Sequence, residues 1–109
     1  MISVIINKNR NNEYVSFSCK GHAGFDTHGK DVVCAAVSML VINTINSIET
    51  LTNCKFDAEE DETTGFIKVV FKESVSKDAA LLLDSMVLGI EQVSQNYGTS
   101  YVKLKYKEV

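Results

Sequence analysis

Hydrophobic and polar positions alternate along this chain with two different periods. Ile2, Val4 and Ile6 trade places with Ser3, Ile5 and Asn7. After the polar stretch from Lys8 to Glu13, a second alternation sets Val15, Phe17 and Cys19 against Tyr14, Ser16 and Ser18. A period of two belongs to a strand with one buried face, so this segment reads as strand, loop, strand. From Val33 to Leu51 the spacing becomes three and four, through Val33, Ala36, Val37, Leu40, Val41, Thr44, Ile45, Ile48 and Leu51. That spacing collects the apolar side chains on one face of a helix starting near Val32. Lys55 to Asp57 and Gly65 to Glu73 read as a further hairpin, because Ile67, Val69 and Phe71 alternate with Phe66, Lys68 and Lys72; the acidic run Asp57 to Glu62 is expected at its solvated tip. Ser76, Lys77 and Asp78 offer capping oxygens to a second helix with Ala79, Leu82, Leu83, Met86, Ile90 and Val93 on one face, and Gly98 suits its end. Val102, Leu104 and Tyr106 then alternate against Tyr101, Lys103 and Lys105. The predicted order is ββαββαβ, an α+β single domain over residues 1–109 with two helices packed on a largely antiparallel sheet.

Composition narrows the function classes. With 109 residues, 45% of them hydrophobic and 23% charged, the chain has enough material for one core without disulfides or a structural metal. Lys and Arg total 11 against 14 Asp and Glu, a net charge of -3, so no basic excess exists to neutralise a phosphate backbone and direct nucleic-acid binding is not expected. No apolar run is expected to reach the roughly 18 to 20 residues of a membrane span, and Met1 to Asn7 lacks the basic start of a signal peptide. A cytoplasmic protein without a membrane partner is therefore expected. The three cysteines, Cys19, Cys34 and Cys54, form no C-x-x-C pair, which argues against a disulfide framework and a zinc site. The acidic run lacks the spacing and glycine of a calcium loop.

Chemistry concentrates between Gly21 and Ser38, which holds both histidines, three of the six glycines and one cysteine. Asp31 is placed as the helix N-cap, which puts Cys34 at the third helical position. Unpaired amides and a partial positive charge at a helix start favour thiolate over thiol, so Cys34 is the best nucleophile candidate. The competing reading is a small core residue. His22, at the end of the preceding strand, supplies an imidazole if the loop folds back, and otherwise is merely solvated. His28 ranks below it, mid-loop beside Gly29. Cys19 on the inward strand face and Cys54 after the first helix read as structural. Ser38, one turn beyond Cys34, either reaches the site or bonds back to a helix carbonyl. Gly24 and Gly29 bracket a segment without apolar periodicity to dock it, and a lid carrying Phe25 is expected there.

Gly21-His22-Ala23 together with Asp31-Val32-Val33-Cys34-Ala35-Ala36-Val37-Ser38 closely resembles the signature of the ribosomal-processing cysteine protease family, Prp or YsxB-like. The element order, the length and the acidic hairpin are similar to the family over the whole chain. The resemblance implies a small bacterial cysteine endopeptidase that removes a short N-terminal extension from a large-subunit ribosomal protein, needs no cofactor or metal, and forms a homodimer. It implies a catalytic dyad of His22 and Cys34, with Gly21, Asp31 and Ser38 on supporting positions. Asp31 has two competing roles, orienting His22 or capping the helix, and the cap is the one expected. The implied chemistry is acyl transfer: Cys34 attacks the scissile carbonyl, first-turn amides hold the oxyanion, and His22 handles the proton. The alternative from another class is a non-enzymatic ribosome-assembly or adaptor module in which Cys34 is core.

Overall fold

The computed structural model describes residues 1–27 and 30–109. The elements run β1 (Ile2–Lys8), β2 (Tyr14–Lys20), α1 (Val32–Leu51), β3 (Phe56–Asp61), β4 (Phe66–Phe71), α2 (Lys77–Tyr97) and β5 (Val102–Glu108), the expected ββαββαβ order. One five-stranded sheet is formed in the order β3-β4-β2-β1-β5. All neighbours are antiparallel except β1 and β5, which run parallel with Ile2 opposite Val102 and Val4 opposite Leu104.

Register explains why one face is apolar. Ile6 lies opposite Phe17, Phe17 opposite Val69, Val4 opposite Cys19, and Cys19 opposite Ile67, so these side chains share a face. Phe17, Val69, Val4 and Ile6 are fully buried there, and Val33, Val37, Val41, Ile48, Leu83, Met86 and Ile90 from the two helices complete the core. The opposite face is mixed: Ser3, Asn7, Ser18 and Lys68 stand beside Ile5 and Val70, and Ser16 is buried there, accepting a hydrogen bond from Asn7 at 2.9 Å.

Two expectations about the sheet change. A bulge skips Val15, so that Lys8 faces Tyr14 while Asn7 faces Ser16. It turns Tyr14 inward in place of Val15, and the Tyr14 hydroxyl reaches Oδ1 of Asp84 on α2 at 2.5 Å. The acidic run is not a hairpin tip: Asp57 to Asp61 lie within β3, and the turn is made by residues 62–65. Glu59 faces Lys68 across the strand pair and Asp57 meets Lys72 at 3.3 Å, so β4 partly compensates the charge. A charged outer strand also resists pairing with another sheet.

Helix α1 is long and apolar enough, by length and composition, to cross a membrane, with a mean hydropathy of 1.6 over its best window. This corrects the expectation that no run comes near that limit. Its buried stripe of Val33, Val37, Val41, Thr44 and Ile48 joins the core, and the exposed Val32, Met39, Ile42 and Leu51 add further apolar character. Gly89 on α2 lets Leu40 of α1 approach: a Cβ there would stand 2.8 Å from Leu40 Cδ2. Truncating the core at Phe17→Ala is expected to destabilise the fold by about 3–5 kcal/mol, against about 0.5 kcal/mol or less for Leu81→Ala at a position 68% exposed. Urea unfolding of the two variants measures the contrast.

Candidate active site

The link from β2 to α1 turns sharply back over the start of the helix. Gly21 adopts φ +101°, and a Cβ there would lie 2.5 Å from the Met1 carbonyl oxygen, so the turn accepts only glycine. The Gly21 N–H donates to the Gly65 carbonyl at 3.2 Å, and the Met1 nitrogen donates to the His22 carbonyl at 2.6 Å. The next residue, Ala23, is buried, and its N–H donates to Sγ of Cys34 at 3.1 Å.

Asp31 holds the other end of the link. As the N-cap of α1, its Oδ1 accepts from the Val33 and Cys34 amides at 3.0 Å each; its Oδ2 accepts from Phe25 at 3.0 Å and Asp26 at 3.3 Å. Burial pushes this carboxyl up, but the four amides of Cys34, Asp26, Phe25 and Val33 outweigh it and hold the group below its ordinary value. The expected cap is therefore present, joined by a second function, the tethering of the loop. Phe25 does find a dock: its ring packs edge-on against Tyr97 at 5.3 Å and Tyr101 at 5.2 Å. The expected lid therefore has Ala23 to Asp26 anchored, contrary to the premise that nothing docks it, while His28 and Gly29 lie outside the described residues.

These contacts border a cavity of about 890 Å³. Gly21, His22 and Gly24 line it from the loop, Asp31, Cys34 and Ser38 from α1, and Glu60, Asp61, Glu62 and Gly65 from the hairpin opposite. All five residues singled out in the sequence, Gly21, His22, Asp31, Cys34 and Ser38, thus meet at one cavity. Ser38 makes no bond back to a helix carbonyl among the described residues. Cys19 reaches the same cavity from below, but burial, with a smaller contribution from Cys34, pushes its thiol up to about 11. Burial raises the Cys54 thiol as well. Both are poor nucleophiles at neutral pH, and Cys34 is the cysteine that joins the cavity to a helix start.

Sequence reasoning missed Gly65 and the acidic wall. Gly65 has φ +65°, and a Cβ on it would stand 2.7 Å from the Gly21 carbonyl and 3.1 Å from His22 Cε1. Its absent side chain makes room for the imidazole. The only local signal was a glycine after Thr63-Thr64; its relation to His22 depends on β4 lying beside β2.

A family model described as Cysteine protease Prp matches residues 1–103. The chain belongs to the Prp family. The Ribosomal processing cysteine protease Prp of Bacillus subtilis is 30% identical, over 89% of this chain and 90% of its own length. That of Staphylococcus aureus is 27% identical over 98% and 100%. Among solved structures, the Staphylococcus aureus Prp with a covalently linked product peptide superposes with a TM-score of 0.93 at 27% identity, covering 98% of this chain and 100% of that one. A protein from Streptococcus mutans gives 0.86 at 29% identity, covering 100% and 96%. The resemblance seen in the loop and helix start is borne out, and the non-enzymatic module gives way to a cysteine protease of the Prp family.

One mechanistic expectation is corrected by the Asp31 contacts. The first-turn amides were expected to hold an oxyanion, yet Val33 and Cys34 donate to the Asp31 carboxylate and Ala35 donates to the Asp31 carbonyl at 3.1 Å. The Val32 N–H has no acceptor among the described residues, but Val32 does not line the cavity. A cap strong enough to order the helix has used up the Val33 and Cys34 amides of its first turn.

Because the folded Asp31 titrates below its unfolded value of about 3.9, its contribution to stability is complete above about pH 4 and is lost as pH falls through the lowered folded value. Asp31→Asn should flatten that acid limb, and Asp31→Ala should cost about 0.5–2 kcal/mol or more at neutral pH. Urea unfolding followed across the acid range measures both.

Proposed function

We propose that residues 1–109 act as one protease domain that removes a short N-terminal extension from a large-subunit ribosomal protein, with Cys34 as nucleophile and His22 as acid and base. The observation that carries this reading is the convergence of Cys34 and His22 on one groove beneath a fixed loop, in a chain of the Prp family. A homologue's structure with a substrate peptide supports a peptide ligand for the same groove. At the sulfur, the Ala23 amide donates a hydrogen bond that a thiolate accepts better than a thiol.

In the first step the Cys34 thiolate attacks the scissile carbonyl carbon, an S–C bond forms, and the carbonyl π electrons move to oxygen. Collapse of that adduct breaks the C–N bond, and the leaving amine takes a proton from the His22 imidazolium. Water then attacks the thioester while His22 accepts its proton, and the second adduct expels the Cys34 thiolate and the new carboxylate. No metal or cofactor takes part in this scheme. Gly21 and Asp31 act by holding the loop and helix start, and Ser38 lines the groove one turn beyond Cys34.

The substrate is a ribosomal protein, so the enzyme works in the cytoplasm. Exposed apolar side chains on the helical layer, Met39 and Ile42 on α1 and Leu81 and Leu88 on α2, support a homodimer that covers them. The net charge of -3 disfavours direct binding to nucleic acid.

Cys34→Ala and His22→Ala should each abolish cleavage of a peptide copying the ribosomal protein's N-terminus while leaving the unfolding midpoint near wild type. Cys19→Ala and Cys54→Ala should keep activity. Mass spectrometry of the incubated peptide decides the matter, and near wild-type cutting by Cys34→Ala would end the cysteine-protease assignment to this residue.

A further inference from the structure

Resting on that reading, we infer that the oxyanion formed at Cys34 is held by the backbone amide of Ala23 in the β2–α1 loop, and not by the first turn of α1. The first-turn amides of Val33, Cys34 and Ala35 already have acceptors on Asp31. The Ala23 N–H, by contrast, points at the sulfur itself, 3.1 Å away. When the thiolate bonds to the substrate carbon, sulfur gives up its charge and the carbonyl oxygen, two bonds away, acquires it. A donor already in contact with sulfur is within reach of that oxygen, so the same N–H serves the thiolate before attack and the oxyanion after it.

The surroundings of this donor are those of a fixed dipole. The peptide unit linking His22 to Ala23 is held at both ends: its carbonyl accepts from the Met1 nitrogen at 2.6 Å, and its N–H meets Sγ. A hydrogen bond to the carbonyl polarises the amide and strengthens its N–H as a donor. Gly21 is bound to Gly65 on one side and Phe25 to Asp31 on the other, so the amide cannot swing away. Ala23 is only 3% exposed, which keeps water from competing for the donor. Preorganised, water-excluded donors of this kind are the ones that stabilise a transition state most.

The test replaces the Ala23 amide by an ester. A 1–33 thioester peptide with L-lactate at position 23, ligated to a segment beginning at Cys34, yields the full chain with one N–H exchanged for oxygen. Cleavage of the ribosomal-protein peptide and alkylation of Cys34 by iodoacetamide are then compared with the wild-type chain. Alkylation passes through no oxyanion, so it reports only the donor's effect on sulfur. Cleavage should fall by about 10²–10³-fold in kcat with KM little changed, and by far more than alkylation does. Equal losses in the two reactions, or cleavage at the wild-type rate, would overturn the inference. A wild-type chain that fails to cleave the peptide would instead overturn the proposed function on which it rests. A second measurement needs no variant: adding a peptide aldehyde of the same sequence should shift the Ala23 amide proton downfield by NMR. A shift at Val33 and Cys34 with none at Ala23 would also refute the assignment.

Discussion

A single buried carboxylate sets the geometry on which the rest of this site depends. Asp31 binds four backbone amides, two from the helix it caps and two from the loop that precedes it. A side chain at one N-cap ordinarily satisfies one or two helix donors. Here the second oxygen also satisfies the loop, so the position of the chain above Cys34 and the direction of the helix carrying Cys34 are fixed by the same group. Separate anchors would let the two drift relative to each other. A shared anchor couples them, and this matters because a mismatch of about 1 Å at a reacting centre is already costly.

The opposite wall is set by the absence of atoms. Gly21 and Gly65 lie backbone to backbone, each where a Cβ would collide with a neighbouring carbonyl, and the His22 ring lies against the space that Gly65 leaves. The cavity is thus bordered by a loop, a helix start and a strand turn, drawn together by β4 pairing with β2. Its floor is apolar through Ile2, Cys19 and Ile67, whereas its far wall is acidic through Glu60, Asp61 and Glu62. The burial that makes Cys19 a core residue also keeps its thiol protonated, so two cysteines at one cavity have different chemistry.

Much of this was legible from the chain alone, for a physical reason: alternation and three-four spacing report which face of an element is buried, and β1, β2, β4 and the two helices each bury one face. The caps at Asp31 and Ser76 were readable because a short oxygen-bearing side chain before an apolar period has few other uses. Tyr14 was misassigned because a bulge breaks the period by one residue, and nothing in Tyr14-Val15-Ser16 announces it. The acidic run looked like a turn since charge suits both a turn and an edge strand; its membership of β3 depends on Lys68 and Lys72 standing opposite. Gly65 and the Ala23 amide were out of reach because backbone contacts between distant segments leave no trace in residue type. Cys34 and His22 were legible as a pattern, whereas their sharing of one groove required the fold.

The parallel pairing of β1 with β5 joins Ile2 to Val102 and so spans nearly the whole described chain. Contacts this distant in sequence form late, since loop-closure entropy is spent before they reward it. Tyr101 stands directly before β5, and with Tyr97 it supplies the surface on which Phe25 rests. Before the final strand is in place, the loop beside the thiol therefore has only the Tyr97 half of its aromatic seat. A partly folded chain, with its hairpins and first helix formed, would carry the cysteine and its Asp31 tether but not the aromatic seat, so the C-terminal helix and strand are what complete the surroundings of the loop.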